Sequence, residues 1–228
     1  MPINQPLFDF LYQFVSDHKK ELLEKVLSNR TRKLTVVMED IFQSQNASAV
    51  IRTCECLGIQ DVHVIESRSK YGTNLKVLKG SHYWVNIIKH GFQMQQGPKT
   101  AFEELKKKGY KILVTSVSPQ SQSIYDIDPD ELGKIALVLG NELHGTSTEA
   151  SDQADGLVHI PMAGFTESFN VSVSAAICCS VLLNKIRSSK IDWKLSDEEK
   201  ADIRMEWVRA MVNRVDVLER NFLKGQSI

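Results

Sequence analysis

Short runs of consecutive apolar residues alternate along the middle of the chain with longer segments in which apolar residues recur at helical spacing. The short runs occupy residues 34–38, 62–65, 111–116, 135–139 and 157–160, and each of them predicts a buried strand. Residues 46–57, 99–108 and 171–186 predict the intervening helices. Because strands that alternate with helices are typical of α/β proteins, we predict an α/β fold with a mostly parallel sheet and helices on both faces.

The two ends of the chain carry a different, purely helical pattern. Residues 6–30 are amphipathic and predict one or two helices, and residues 192–223 predict a separate helical piece that opens with a capping box at Ser196 and Glu199. We therefore predict an N-terminal helical extension at 1–32, a central domain at 33–188 and a C-terminal helical extension at 189–228. Residues 83–88 alternate weakly and predict an edge strand, and residues 120–130 predict polar turns.

Composition is that of a globular protein. Of the 228 residues, 42% are hydrophobic and 25% are charged, which are ordinary values. We expect no transmembrane helix, because no run of about 18 apolar residues occurs, and the N-terminus lacks the pattern of a signal peptide. The cysteines lie inside predicted helices and are too few for a zinc site, so we expect buried thiols in a reducing cytoplasm; they are Cys54, Cys56, Cys178 and Cys179.

Charge is distributed unevenly although the chain is neutral overall. Residues 66–90 hold five cationic residues and one acidic residue, a net charge of 5 − 1 = +4, and residues 120–160 hold one lysine and eight acidic residues, 1 − 8 = −7. The cationic residues of the basic stretch are Arg68, Lys70, Lys76, Lys79 and Lys89. A local basic face can bind phosphates, whereas a mixed, solvated surface is the alternative interpretation.

Two glycine-containing loops follow the last two predicted strands. The first reads Gly-Asn-Glu-Leu-His-Gly at 140–145, and the second reads PMAGFTESFN at 161–170 and leads into the apolar helix at 171–186. Ser168 and Asn170 are good helix caps. Polar groups that follow strand ends mark the edge at which open α/β sheets bind ligands, although ordinary strand-to-helix turns would look similar.

A third polar segment follows the first predicted strand. Asn46, Ala49, Arg52 and Thr53 recur at helical spacing, so that Asn46, Ala49 and Thr53 share one face with Arg52 close by. The chain thus carries N-x-x-A-x-x-R-T, then L-G-N-E-x-x-G, then I-P-M-x-G-x-x-E-S-x-N-V-S. This ordered set closely resembles the SpoU (TrmH-like) branch of the SPOUT methyltransferases over residues 33–187, and the helical extensions resemble those of the tRNA (guanosine-18) 2'-O-methyltransferases.

The resemblance implies a fold and a cofactor. Members of the branch carry a deep trefoil knot in the C-terminal part of the domain and bind S-adenosyl-L-methionine in the loops of that knot. The cofactor contacts would be Gly140, Asn141, Ile160, Met162 and Phe169, where Phe169 replaces the leucine that is usual in the family. Thr115, at the end of a predicted strand, is a further candidate contact, and a structural strand-end threonine is the alternative.

The same resemblance implies the chemistry of ribose methylation. The catalytic group would be Arg52, supported by Asn46, Glu142, Ser168 and Asn170. Because a guanidinium gives up its proton only at great cost, we expect Arg52 to stabilise the developing oxyanion and a phosphate. Capping and ion pairing are the structural alternatives for Ser168, Asn170 and Glu142. A homodimer is implied, because family sites are built across two subunits, and no metal is needed.

The sequence therefore favours S-adenosylmethionine-dependent 2'-O-methylation of tRNA, at guanosine 18 of the D-loop. The alternatives are methylation of ribosomal RNA or of the tRNA wobble nucleotide, and an RNA-binding homologue that has lost catalysis. The intact set of motif residues disfavours the last alternative. A Rossmann-type dehydrogenase is disfavoured because no G-x-G-x-x-G follows the first predicted strand.

Overall fold

The computed structural model of the chain describes residues 4–67, 71–91 and 97–225, so Arg68 and Lys70 of the basic stretch lie outside the described residues. The chain divides into two compact units. One unit is Thr31–Trp193, and the other combines the described parts of the segments that precede and follow it. The domain boundaries predicted after residues 32 and 188 remain a prediction about domain organisation.

The central unit is built on a parallel sheet. Its strands in the described residues are β1 (Leu34–Glu39), β2 (Asp61–Ile65), β3 (Asn86–His90), β4 (Tyr110–Thr115), β5 (Gln122–Ser123), β6 (Lys134–Leu139) and β7 (Gly156–His159). They lie in the order β3-β2-β1-β6-β4-β7-β5, and every described pair is parallel. In the register of the sheet, Val36 lies opposite Val62 on one side and Leu137 on the other. The predicted parallel sheet is confirmed.

Helices follow most of the strands. In the central unit they are α3 (Ser44–Leu57), α4 (Leu75–Leu78), α5 (Pro98–Lys107), α6 (Pro129–Leu132), α7 (Thr148–Asp152) and α8 (Val171–Ser188). Helices α3 and α8 contribute to one buried apolar cluster, and α5 contributes to a second cluster. The two clusters also contain alternate residues of β1: Val36 and Met38 belong to the first, and Val37 to the second. The sheet is therefore covered on both faces, as predicted, and this is why its strands read as continuous apolar runs.

The ends of the central helices follow from local chemistry. Helix α3 stops at Gly58, which adopts a left-handed conformation with φ 87° that costs glycine little. Helix α8 begins after Asn170, whose side chain accepts a hydrogen bond from the Ser172 N–H, so the predicted cap at Asn170 is confirmed. By length and composition α8 could cross a membrane, a test that the core helix of a globular domain also passes, and its residues Ala175, Cys178 and Cys179 are buried in the core.

Two segments differ from the sequence-based expectations. The edge strand expected at 83–88 is β3, which begins three residues later, because a 3-10 helix at Ser81–Tyr83 precedes it. The expected polar turns at 120–130 contain β5, a 3-10 helix and α6. Helix α6 is short, starts with Pro129 and is capped by Asp128, so the polar composition that predicted turns is that of a cap and a single helical turn. The knot implied by the resemblance remains a prediction.

The second unit is helical, as the amphipathic patterns predicted. It comprises α1 (Gln5–Tyr12), α2 (Asp17–Leu27), α9 (Asp197–Met211) and α10 (Val215–Gly225). The predicted capping box of Ser196 and Glu199 is present. Arg204 forms a two-pronged ion pair with Glu24 at 2.5 and 2.8 Å, and the guanidinium of the buried Arg30 lies 5.1 Å from the ring centre of Trp207. Some arginines of this unit therefore serve its own packing.

Candidate active site

The polar motifs converge at the carboxyl edge of the sheet. Because all paired strands are parallel, the segments that leave β1, β4, β6 and β7 all emerge on that edge. The segment after β1 leads into α3, the segment after β7 leads into α8, and the strand order reverses between β1 and β6. A ligand-binding crevice is expected at such a reversal. We call residues 140–147 the first loop and residues 161–170 the second loop.

A hydrogen-bonded cluster joins residues of all three sequence motifs. The Asn46 side-chain amide donates to Glu142 Oε1 at 2.8 Å, and the Asn170 amide donates to Asn46 Oδ1 at 3.2 Å. Glu142 also accepts hydrogen bonds from the backbone N–H groups of Phe42 at 3.1 Å and Gln43 at 3.3 Å. Residues separated by 96 and 124 positions in the chain thus form one connected group, which ties the start of α3 to the first loop and to the start of α8.

The surroundings of Glu142 favour its ionised form. Partial burial raises the pKa of this carboxyl, but the hydrogen bonds from Asn46 and from the backbone amides outweigh burial, so the pKa lies below the ordinary glutamate value. A carboxylate with a lowered pKa is a weak base near neutral pH. Its role in this geometry is to hold the amides of residues 42 and 43 and the carboxamide of Asn46 in place.

Two of the predicted catalytic residues stand apart from this cluster. Arg52 lies on α3 with an exposed side chain, and Ser168 lies in the exposed second loop. Within residues 4–67, 71–91 and 97–225, no hydrogen bond or ion pair connects either side chain to Asn46, Glu142 or Asn170. Both side chains are therefore exposed to solvent, Ser168 in the second loop at the carboxyl edge of the sheet and Arg52 in the second half of α3, the helix that starts at that edge.

The first loop is closed by its own hydrogen bonds. Asn141 and Gly145 exchange backbone hydrogen bonds of 2.8 and 2.9 Å, and Asn141 Oδ1 accepts a hydrogen bond from the Leu143 N–H at 2.8 Å. A Cβ atom on Gly140 would lie 2.2 Å from the backbone of Gly145 and Thr146, so the loop folds back onto Gly140 and requires glycine there. This loop is preformed.

The second loop is open. All its residues are exposed, and in the described part of the chain no hydrogen bond involves the backbone N–H groups of residues 162–169. Met162 and Phe169 have 36% and 42% of their surface exposed, and Ile160, at its entrance, packs partly against the core. The loop thus presents unpaired backbone donors beside apolar side chains.

Thr115, the remaining predicted cofactor contact, ends β4. Its hydroxyl donates to the Val138 carbonyl of β6 at 2.9 Å, and its own carbonyl lies 3.4 Å from the Thr146 hydroxyl of the first loop. The hydroxyl hydrogen of Thr115 therefore serves the sheet, as the structural alternative expected, while the residue still borders the first loop.

Asp40 and Gln43 belong to this edge although the sequence did not single them out. Asp40 has a left-handed backbone with φ 49°, which is unfavourable for a residue other than glycine. Its carboxylate accepts from the Ser67 N–H at 2.8 Å, and its carbonyl accepts from Asn141 Nδ2 at 2.7 Å. Gln43 occupies the N-cap position of α3, where its side chain makes no capping bond but accepts a hydrogen bond from the Asn46 side-chain amide at 3.2 Å. The position of Asp40 directly after a predicted strand was the sequence feature that could have marked it as part of this edge.

A cleft of about 480 Å³ opens beside the cluster. Its walls include the buried Glu39 and Asp40, the exposed Phe42 and the first loop from Asn141 onwards. Glu39 accepts a hydrogen bond from the Ser147 N–H at 3.0 Å, which anchors the far end of the first loop to β1. Among the described residues, no group of three or more histidine, cysteine, aspartate or glutamate side chains is arranged to hold a metal ion.

Comparison with known proteins assigns the chain to a family. The SpoU rRNA Methylase family matches residues 33–180, a range that contains all three motifs. A tRNA (guanosine(18)-2'-O)-methyltransferase of Borreliella burgdorferi is 44% identical over 209 residues, which cover 92% of this chain and 93% of the relative. The enzyme of that name from Thermus thermophilus is 29% identical over 85% of this chain and 97% of its own length.

Solved structures agree with the sequence comparison. The A. aeolicus TrmH/SpoU tRNA modifying enzyme superposes with a TM-score of 0.76 at 29% identity, covering 87% of this chain and 98% of that one. The SpoU methyltransferase AviRb from Streptomyces viridochromogenes, in complex with the cofactor AdoMet, shares the fold with a TM-score of 0.60 at 19% identity, over 72% of this chain and 65% of that one. The sequence-based resemblance is confirmed: this chain belongs to the SpoU methylase family.

Proposed function

We propose that the protein transfers a methyl group from S-adenosylmethionine to the ribose 2'-oxygen of guanosine 18 in the D-loop of tRNA. The observation that carries the proposal is the cluster of Asn46, Glu142 and Asn170, which joins the three motifs at one edge of the sheet. The substrate is supported by the relative from Borreliella burgdorferi, which matches 92% of this chain and carries that activity in its name. Such an enzyme acts in the cytoplasm.

The two loops at the carboxyl edge fit S-adenosylmethionine. The unpaired backbone N–H groups of the second loop suit the polar groups of a nucleoside and an amino acid, and Ile160, Met162 and Phe169 supply apolar surface. Gly140, Asn141 and Thr115 would border the cofactor on the side of the first loop. When bound, the cofactor supplies the electrophilic methyl group.

Arg52 would act on the ribose oxygen. A ribose hydroxyl is a poor nucleophile, so its oxygen must be polarised or lose its proton as the new bond forms. An exposed guanidinium can stabilise negative charge on that oxygen and can hold a neighbouring phosphate with its second pair of N–H groups. Asn46 and Asn170 would position the ribose, with Glu142 holding Asn46, and Ser168 would fix the second loop.

The role of the planar guanidinium of Arg52, which can donate two parallel hydrogen bonds, is testable by conservative replacement. We expect Arg52→Ala to reduce kcat by at least about a hundredfold, because one charge-stabilising contact contributes on that scale. Arg52→Lys keeps the charge but loses the two-pronged geometry, so it should stay at least about tenfold below the wild type. Near-normal activity of Arg52→Lys would refute a requirement for the two-pronged geometry of the guanidinium.

The substrate is tested by transfer of labelled methyl groups to total tRNA and to ribosomal RNA, followed by mapping of the modified ribose. Methylation at guanosine 18 is the expected result. Methylation of ribosomal RNA alone, or of the tRNA wobble nucleotide alone, would replace the substrate and keep the chemistry. Failure to bind S-adenosylmethionine in calorimetry would favour an RNA-binding homologue without catalysis.

The functional unit is proposed to be a homodimer. The second loop exposes Phe165 completely and Phe169 by 42%, and Val173, on the first turn of α8, is 44% exposed. Apolar side chains of this size, clustered beside an active site, are suited to an interface. Sedimentation equilibrium should give twice the chain mass of 25.8 kDa, and a mass of one chain at micromolar concentration would contradict the dimer.

A further inference from the structure

Residues 71–91, which form most of the connection between β2 and β3 together with β3 itself, carry positive charge without an acidic residue, although the connection opens with Glu66. From residue 71 to residue 91 the sequence contains Lys76, Lys79 and Lys89, two histidines and no aspartate or glutamate. The chain as a whole has equal numbers of cationic and acidic side chains. A segment of this kind creates a locally positive surface that attracts phosphates.

The backbone of this connection is held firmly and its charged side chains point outwards. Asn74 caps α4 by accepting from the Lys76 N–H, while Leu78 and Ser81 are buried. Lys79 and Gly80 both have left-handed backbones, with φ 45° and 85°, which turn the chain sharply between α4 and the 3-10 helix. The side chains of Lys76 and Lys79 are exposed, so they extend into solvent from a folded backbone.

The connection packs against α3, the helix that carries Arg52. The Asn74 N–H donates to the Ser48 hydroxyl of α3 at 2.7 Å, and a Cβ on Gly72 would lie 3.6 Å from Ser44 Cβ. Ser48 lies four residues before Arg52, so the two side chains share a face of α3. The positive connection therefore packs against α3 one turn before the proposed catalytic arginine.

An exposed aromatic ring completes the surface. Tyr83 has 60% of its surface exposed, although its ring rests on His82, with the ring centres 4.1 Å apart, and meets Trp84 edge-on at 6.3 Å. A ring that is supported from one side and open to solvent on the other is a platform for an unstacked base.

We propose that Lys76, Lys79 and Tyr83 bind the RNA strand that flanks the target ribose. The two lysines would contact phosphates, and Tyr83 would stack on a base next to the methylated nucleotide. This inference rests on the proposed function, because it places the surface beside Arg52. The combination favours RNA over a protein partner: lysines without carboxylates match a phosphate backbone, and an open aromatic face matches a base that has left its stack.

The lysines are tested with the full-length protein and unmodified tRNA. In Lys76→Gln/Lys79→Gln the Kd for tRNA should rise roughly tenfold, and the slope of log Kd against log salt should decrease by about 2, one unit for each lost phosphate contact. The Kd for S-adenosylmethionine and kcat at saturating tRNA should stay within about twofold of the wild type. Lys76→Arg/Lys79→Arg should restore the binding of tRNA.

The matched control removes two exposed lysines elsewhere in the same unit. Lys107 ends α5 and Lys111 lies near the start of β4, at the edge of the sheet opposite to its carboxyl edge. Lys107→Gln/Lys111→Gln should leave the Kd and its salt slope unchanged. An unchanged Kd in Lys76→Gln/Lys79→Gln, or an equal loss in the control, would refute the lysine contacts.

The stacking role of Tyr83 has its own pair of variants. Tyr83→Ala should raise the Kd for tRNA at least about fivefold, because the stacking of one base is lost, whereas Tyr83→Phe should bind like the wild type. Equal binding by all three proteins would refute the stacking. If the wild type methylates no tRNA, the proposed function itself fails; if it methylates tRNA and these variants do not change binding, only this inference fails.

Discussion

The first loop and the second loop occupy the same edge of the sheet but are built in opposite ways. The first loop, residues 140–147, is closed by the backbone pair of Asn141 and Gly145, by the Asn141 side chain, and by Glu39 at its far end. The second loop, residues 161–170, is exposed throughout, and in the described part of the chain the N–H groups of 162–169 make no hydrogen bond. The first loop is therefore fixed by its own hydrogen bonds, and we expect the second loop to gain its hydrogen bonds from the ligand that it binds.

Adding a methyl group to one glycine in each loop should give the largest contrast. In Gly140→Ala the new Cβ would lie 2.2 Å from the backbone of Gly145 and Thr146, so the loop must move. We expect a loss of about 3 kcal/mol in the free energy of unfolding, or about 6–12 °C in Tm. Gly164 has no neighbour within 4 Å of its Cβ position, so Gly164→Ala should change the free energy by less than about 0.5 kcal/mol. Equal thermal shifts would contradict the distinction between the loops.

Hydrogen exchange should separate the loops when S-adenosylmethionine binds. At a free concentration a hundredfold above Kd, a ligand contributes about 2.7 kcal/mol, so amides of the second loop that bind it should exchange roughly a hundredfold more slowly. The amides of Asn141 and Gly145 are already paired and should change much less. Equal slowing in both loops would show that the first loop is not preformed.

A buried histidine pair outside both loops makes the free energy of unfolding sensitive to acid. His63 and His90 are buried side by side on β2 and β3, with Nδ1 and Nε2 2.8 Å apart. Burial, followed by the charges of His90 and Lys108, lowers the pKa of His63 to about 3, and burial also lowers the pKa of His90. Each histidine therefore takes up its proton more readily in the unfolded chain than in the folded one.

The free energy of unfolding should consequently be greatest above about pH 6.5 and fall as the pH drops below it. For His63 alone the loss between pH 6.5 and pH 5 is about 1.6 kcal/mol. His63→Gln should flatten this dependence, and replacement of the exposed His144 by Gln should not. Chemical denaturation at several pH values measures the slope, and an identical slope in the wild type and His63→Gln would refute the assignment.

Removing Glu142 should release the first loop from α3. Glu142→Ala leaves the N–H groups of Phe42 and Gln43 and the carboxamide of Asn46 without their acceptor. Because the site is partly exposed and water can replace some of these bonds, we expect a loss of about 1–2 kcal/mol. Ser168→Ala in the second loop should change stability by less than about 0.5 kcal/mol. If both variants lose activity, the loss in Glu142→Ala would accompany a loss of stability, whereas the loss in Ser168→Ala would not. Unfolding free energies and activities of both variants measure this difference.

Some of these features could be predicted from the sequence and others could not. The strands, the long helices and the convergence of Asn46, Glu142 and Asn170 followed from apolar runs and from motifs placed at strand ends, because parallel strands bring their ends together. The left-handed backbone of Asp40 could not be predicted, since it depends on hydrogen bonds to Ile65, Ser67 and Asn141. The two residues of β5 carry no periodicity and acquire their state only by pairing with β7.

The smallest expected effect concerns the charge of Glu142. The folded-state pKa of this carboxyl lies below its ordinary value, so the unfolded chain binds the proton more readily, and the ionised side chain contributes stability that is present above the unfolded pKa and is lost as the pH falls through the folded pKa. The difference in unfolding free energy between the wild type and Glu142→Gln should be constant from pH 7 to about pH 5 and shrink below about pH 4.5.

The histidine pair is common to both proteins, so its larger pH dependence cancels in this difference. Glutamine keeps an acceptor for one of the donors but cannot carry the charge, so the remaining difference reports the ionised carboxylate at the joint between α3 and the first loop. Denaturant titrations of both proteins from pH 7 to pH 3.5 measure it. A difference that grows as the pH falls would mean that the protonated carboxyl is the favoured form in the folded protein, and the first loop would then be held by neutral hydrogen bonds alone.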